Sequence, residues 1–165
     1  MGTGTIKSQK VCCNLPPQKP PRQSLGGFVF NACYNFLMKD FLKWCGLKQK
    51  LHENKSLGPF VRERDMWWVS LGENVGSEID GKSNLYSRPV IILKKLAHGF
   101  FLVAPTTTKE HEGTWYVPIV YNEKTTYVCL HQIRTIDYRR LSSRIGQISG
   151  DDFKSVKNGF RNLYI

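Results

Sequence analysis

A chain of 165 residues, 41% of them hydrophobic, has room for one domain with a sizeable core and an appendage, which excludes a wholly disordered protein. Lysine and arginine number 24 against 13 acidic residues, a formal charge of +11, and a surplus of that size points to a polyanionic partner, with nucleic acid ahead of a merely solvated basic surface. Cys12, Cys13, Cys33, Cys45 and Cys129 are odd in number and unevenly spaced, which argues against a disulfide framework and a zinc site and for reduced thiols in a cytoplasmic protein, Cys129 facing the core.

Residues 1–27 hold Pro16, Pro17, Pro20 and Pro21 among Lys, Arg, Gln and Ser. They cannot bury enough apolar surface to fold and are predicted to be a flexible tail. A helical extension is expected over 28–59. Its apolar start, Leu25–Met38, is interrupted by Asn31 and Asn35 and falls short of the roughly 20 residues that cross a bilayer, so neither a membrane span nor a signal peptide is expected. From about Asn35 to Glu53, the residues Phe36, Leu37, Phe41, Trp44, Cys45 and Leu51 recur at helical spacing. That pattern predicts a helix packing an aromatic face onto the rest of the protein. Gly46 weakens its middle by up to about 1 kcal/mol, and Gly58-Pro59 ends the appendage.

The remainder, 60–165, reads as a small mainly β domain closed by one helix. Strands are predicted at Asp65–Leu71, Arg88–Lys94 (a nearly continuous apolar run), Gly99–Pro105, Thr114–Tyr121 and Thr125–His131. The last two are joined as a hairpin at Asn122-Glu123-Lys124. Shorter strands are expected at Ile133–Ile136 and Ile145–Ile148. Short strands at such spacing indicate a sandwich or small barrel. Ser149 and Asp152 form the start of a capping box, and Phe153, Val156, Phe160 and Leu163 fall on one face of the helix that follows.

No P-loop, no GxSxG elbow and no carboxylate cluster able to hold Mg²⁺ is present. Enzyme chemistry in this chain is therefore expected to run on Arg, Lys, Thr, Ser, Glu or His, without metal or cofactor. Three segments stand out. WWVSLGENVGSE leads through a Gly-rich loop to Gly81, and RPVIIL follows with Arg88 ahead of Pro89. Ala104-Pro105-Thr106-Thr107-Thr108 ends the next strand, and QIRTID with Arg140-Leu141 comes later. In this order and at this spacing, over about Arg62 to Leu163, they resemble the MazF/PemK family of toxin endoribonucleases.

The resemblance implies an SH3-like β-barrel that dimerises with a second copy. It also implies cleavage of single-stranded RNA to leave a cyclic phosphate and a 5′-hydroxyl, and inhibition by a cognate antitoxin. On the matching positions, Arg88, Thr107 and Glu78 fall on catalytic roles. Ser77, Lys82, Thr108, His111 and Gln132 are placed on the RNA-binding surface. The residue types suit the reaction, because RNA carries its own nucleophile in the 2′-OH and the protein has only to align it and neutralise phosphoryl charge. Arg supplies a fixed fork of donors for that task, Thr107 a hydroxyl donor, and Glu78 a proton acceptor. Thr106 and Thr108 stand as alternatives to Thr107, and a solvated loop carboxylate is the alternative for Glu78. Gln132, Arg134 and Asp137 read as a structural network near the dimer interface rather than as catalytic residues, and His111 and His131 are not required by the family pattern. Trp67, Trp68 and Trp115 are able to stack bases, though core packing is expected of two of the three. The insert Lys82–Ser87 is longer than the family's usual link and bears most on Glu78. Two other functions fit the same fold: a non-catalytic toxin that binds DNA gyrase, and an inactive RNA-binding module.

Overall fold

The computed structural model describes residues 39–165. The expected tail over 1–27, the first part of the extension, and Cys12, Cys13 and Cys33 lie outside the described residues.

Helix α1 (Phe41–Glu53) is followed by β1 (Asp65–Ser70), β2 (Ser87–Ala97), β3 (Phe100–Thr107), β4 (Tyr116–Tyr121) and β5 (Lys124–Cys129). After a short 3-10 turn at Leu130–Gln132 come β6 (Arg134–Asp137), a second turn at Tyr138–Arg140, β7 (Leu141–Gln147) and helix α2 (Gly150–Tyr164). The strands run in the order β4-β5-β3-β2-β1-β7, all paired antiparallel, with β6 on β3. β3 changes partner along its length. Phe100–Val103 pair with β6, whereas Thr106 and Thr107 pair with β5. That switch, with register shifts in β1 and β2, curls the sheet.

The curl brings the two edge strands, β4 and β7, within reach of each other. The Tyr121 hydroxyl on β4 donates to the Ile145 carbonyl on β7 at 3.0 Å. Gly146 makes this approach feasible, since a Cβ there would meet the Tyr121 oxygen at 2.0 Å. The expected mainly β fold is therefore present, with its last seam held by a side chain in place of a ladder.

β2 explains the apolar run seen in the sequence. Its residues alternate between two clusters: Val90 and Ile92 pack with Trp67, Val69, Leu71 and Val103, while Ile91 and Leu93 pack with Met66, Ile119, Val128 and Leu130. A strand buried on both faces needs apolar residues at every position. α2 covers the second cluster with Phe153 and Val156, and the expected cap is formed: the Ser149 hydroxyl oxygen accepts from the Asp152 amide at 3.0 Å. Gly159 lets α2 lie close, because a Cβ there would press on Val117 and Leu130 at 2.8 and 2.9 Å. The hairpin turn is tighter than expected, made by Asn122 and Glu123, both in the left-handed region at φ 48° and 62°.

Three expectations are corrected. The strand predicted to reach His131 stops at Cys129, and His131 sits in the 3-10 turn. β7 begins at Leu141, earlier than predicted, because its polar outer residues hide the strand. On α1 only Trp44 is buried, while Phe41 and Cys45 are exposed. The helix meets a loop rather than a sheet face, and one anchor is all that such a contact requires.

Candidate active site

The segment between β1 and β2 is irregular yet tightly bonded. At its start Gly72 takes φ +100°, and its amide donates to the Tyr86 carbonyl at 3.2 Å. The Gly81 amide returns to the Gly72 carbonyl at 2.8 Å, and a Cβ on Gly81 would strike the Tyr86 oxygen. Within the loop, the Asp80 carboxylate accepts from the Asn74 amide at 2.6 Å and pairs with Lys39 at 2.9 Å, while the Asn74 side chain donates to the Ile79 carbonyl at 2.8 Å. The insert Lys82–Ser87 folds back on itself: Lys82 and Ser87 exchange both backbone hydrogen bonds, at 2.8 and 2.9 Å. It is a compact turn, tied to the loop before it through the Tyr86 carbonyl.

This frame orients Arg88. Pro89 holds the residue before it in the extended region, and the Arg88 Nε donates to the Asp80 carbonyl at 2.8 Å. Val90 pairs with Pro105, and continuing that register by two residues sets Arg88 opposite Thr107. Thr106 locks the junction from within, its hydroxyl donating to the Pro89 carbonyl at 3.1 Å; it is buried, which removes it as an alternative to Thr107 on the surface. The Thr107 oxygen accepts from the Lys109 amide at 3.2 Å, so its own proton is available to an incoming group.

Arg88, Thr107 and Lys82 line two clefts at once. One, of about 290 Å³, is walled further by Ser77, Lys109, His111, Tyr116, Cys129, His131 and Gln132. The other, of about 540 Å³, is walled by Trp68, Leu85, Pro89, Thr108, Ser142 and Ser143 among others. The fold thus brings together Arg88, Thr107, Ser77, Lys82, His111 and Gln132, with Thr108 on the adjoining wall.

Glu78 is not among them. Its carboxylate accepts from the Val75 amide at 3.2 Å, closing a turn of its own loop, and it lines neither cleft. Gln132 reaches the cleft but is engaged at both ends, its Oε1 accepting from the Ile79 amide at 3.2 Å and its Nε2 donating to the Ser77 carbonyl at 3.3 Å. It therefore holds the loop in place, as the structural alternative anticipated. Arg140 is likewise structural, donating to the Ser70 carbonyl at 2.9 Å beneath the Trp44 ring. Of the three tryptophans only Trp67 is in the core, whereas Trp68 and Trp115 are exposed. Sequence reasoning missed Tyr116 and Cys129 as wall residues; they arrive from β4 and β5, far along the chain.

The clefts are electropositive. Arg88, Lys82 and Lys109 contribute cations, and no carboxylate lines either cleft among the described residues. Burial lowers the Arg88 guanidinium from its ordinary value, opposed by the nearby Cys129 and Asp80, and it stays cationic at neutral pH. Burial pushes the Cys129 thiol up to about 11, against the pull of Arg88, so it remains a neutral thiol. Burial also raises Tyr116 above the usual phenol range, with Cys129 adding to it. No helix among the described residues is long and apolar enough to cross a membrane.

The family model described as PemK-like, MazF-like toxin of type II toxin–antitoxin system matches residues 62–164. The chain belongs to this family. Its fold is shared with MazF from Deinococcus radiodurans, at 19% identity over 64% of this chain and 97% of that one, with a TM-score of 0.54. It is also similar to a mycobacterial endoribonuclease solved with its cognate antitoxin, at 14% identity over 62% of this chain and 93% of that one, TM-score 0.50. A further mycobacterial endoribonuclease is 12% identical over 65% of this chain and 93% of that one, TM-score 0.50. At these identities the likeness speaks for the fold alone. No curated protein matches the chain in sequence. The matched region begins after α1, which lies outside it.

Proposed function

We propose that this family member is a toxin endoribonuclease that cuts single-stranded RNA without a metal, by attack of the 2′-OH on the adjacent phosphate. The reading rests on one observation above all: Arg88, near the start of β2, and Thr107, at the end of β3, both line each of two cationic clefts free of carboxylates. A polyanion is drawn to such a surface, and its phosphate meets a guanidinium whose Nε is already fixed, leaving the terminal nitrogens to grip phosphoryl oxygens. The Thr107 hydroxyl donates to the same charge, and preorganised donors of this kind stabilise developing charge without reorganisation. RNA brings the nucleophile, so the protein's task is alignment.

Ser77, Lys82, Lys109 and His111 are assigned to hold the strand in one cleft, and Thr108 in the other. Glu78 is left out of the reacting set, because its carboxylate is committed to the Val75 amide. The working form is a homodimer restrained by a cognate antitoxin, which we take to be acidic and partly disordered to suit the basic face.

The test is cleavage of a long mixed-sequence RNA in EDTA. Wild type is expected to give discrete fragments with 5′-hydroxyl ends, and Arg88→Ala to fall by about 10²–10³-fold, the usual loss for one charge-stabilising donor. A folded wild type that leaves the RNA whole overturns the proposal.

A further inference from the structure

Attack by a 2′-OH needs a group to take its proton and another to protonate the departing 5′-oxygen, and the site described above names neither. Arg88 holds its proton too firmly to serve, Cys129 remains a thiol, and Glu78 is turned away. The titratable groups left on the smaller cleft are Lys82, Lys109, Tyr116 and two imidazoles. Of these types, imidazole alone both accepts and donates readily near neutrality.

Resting on the ribonuclease reading, we propose that His111 and His131 are the proton acceptor and donor of the cleavage step. Both line the cleft that holds Arg88 and Thr107. His111, in the loop after β3, stacks flat on Tyr116 with ring centroids 4.3 Å apart and planes at 6°. His131, on the 3-10 turn after β5, meets the same phenol edge-on at 5.1 Å and 70°. Trp115 flanks it at 5.5 Å. Tyr116 is therefore a spacer that keeps the imidazoles apart, and an in-line displacement calls for such separation because acceptor and donor act on opposite sides of phosphorus.

The His131 Nδ1 is buried without a protein hydrogen bond, so no partner in the described residues fixes its proton. Tyr116 and Trp115 pack against the His131 ring, and Cys129 and Gln132 line the same cleft. Tyr116 packs against the His111 ring, Lys109 of its own loop lines the cleft, and Glu110 and Glu112 flank it in sequence. Lys82 and Arg88 complete the wall for both.

In the step, one neutral imidazole takes the 2′-OH proton as that oxygen bonds to phosphorus. The bond from phosphorus to the 5′-oxygen breaks, its electron pair stays on that oxygen, and the second imidazole, protonated, gives it a proton. A cyclic phosphate and a 5′-hydroxyl result, with no redox change, and solvent exchange restores the starting protonation.

The deciding experiment uses the purified full chain with two substrates: ordinary RNA and RNA whose scissile 5′-oxygen is replaced by sulfur, a leaving group that departs without protonation. His111→Gln and His131→Gln are each expected to lose about 10²–10⁴-fold on ordinary RNA, the range for a lost general acid or base. One of them, the donor variant, should recover on the sulfur substrate while the other does not. Thermal melts verify that both variants fold, and single-turnover rates at saturating RNA keep any weaker strand binding at His111 out of the comparison. Near-wild-type activity of either variant on ordinary RNA overturns the pair while the ribonuclease reading stands. Loss in both with recovery in neither also overturns it. A wild type that cleaves nothing brings down the ribonuclease reading itself, and the pair with it.

Discussion

Asp65 is the one fully buried charged residue among those described, and it shows how a single side chain ties the sheet to solution pH. Its carboxylate accepts from Arg144 at 2.8 Å, from the Arg62 amide at 3.0 Å and from Gln147 at 3.4 Å. Burial pushes its pKa up, but these donors outweigh burial and hold it below the usual carboxylate range. A carboxylate depressed on folding stabilises the native state above its unfolded value, about 3.9, and that stabilisation is lost as pH falls through the folded value. Urea melts from pH 7 to pH 3 should therefore show an acid limb that Asp65→Asn flattens, with a loss at neutral pH of about 1–3 kcal/mol for the broken network. An unchanged limb in the variant would assign the acid sensitivity elsewhere. Arg88 and Thr107 make the complementary case at this scale. Their place at the mouth of the clefts was legible through the family resemblance, which set Arg88 before Pro89 and Thr107 at a strand end, and both line the clefts. Glu78 was not, since its direction is decided by a hydrogen bond to Val75, three residues away.

Among the elements, α1 carries the largest consequence for the site although it lies outside the family match. Trp44 fills the space above Gly72, where a Cβ would come within 2.4 Å of the indole. The Tyr86 hydroxyl donates to the Asp40 carbonyl at 3.3 Å, Lys39 pairs with Asp80, and the Asp80 carbonyl holds Arg88. The helix thus braces both ends of the loop that orients the guanidinium. Trp44→Ala should loosen it, read as faster amide exchange across residues 73–87, with a stability loss toward the low end of the roughly 3–5 kcal/mol seen for buried aromatics. Gly72→Ala, disfavoured by its positive φ as well as by the indole, should do the same, and the double variant should cost less than the sum. Additive losses would mean that the two do not share a contact. The elements were legible to unequal degrees. β2 announced itself through an apolar run imposed by burial on both faces. Of β7 only the end, from Ile145, was legible, because Leu141–Gln147 pairs with β1 through two register shifts that break the alternation. The face of α1 was overread, since helical periodicity reports which residues could share a side and not how much of that side a neighbour covers. The wall formed by Tyr116, Cys129 and His131 was out of reach, because only the curl of the sheet assembles it.

For the molecule as a whole, the charge of +11 and the two cationic clefts predict that affinity for single-stranded RNA falls steeply with salt. Each phosphate neutralised on a single strand contributes about −0.7 to the slope of log K against log salt. Arg88→Ala and Lys82→Ala should each make the slope shallower by about that amount in filter-binding or anisotropy titrations; an unchanged slope would remove those cations from the RNA contact. On the function proposed above, the field that gathers RNA is also the one an acidic antitoxin would answer. The joint between β4 and β7 carries a different consequence. A closed hoop spreads any strain over all its rungs, whereas this sheet is a strap fastened by one buckle, the Tyr121 hydroxyl on the Ile145 carbonyl. No ladder joins these two strands, so hydrogen exchange should find the sheet opening first along this line. β2 and β3, gripped by neighbours on both sides, are the last to feel solvent, and they carry Arg88 and Thr107. Arg88 and Thr107 are thereby mounted on the part of the strap that stays still when the buckle slips.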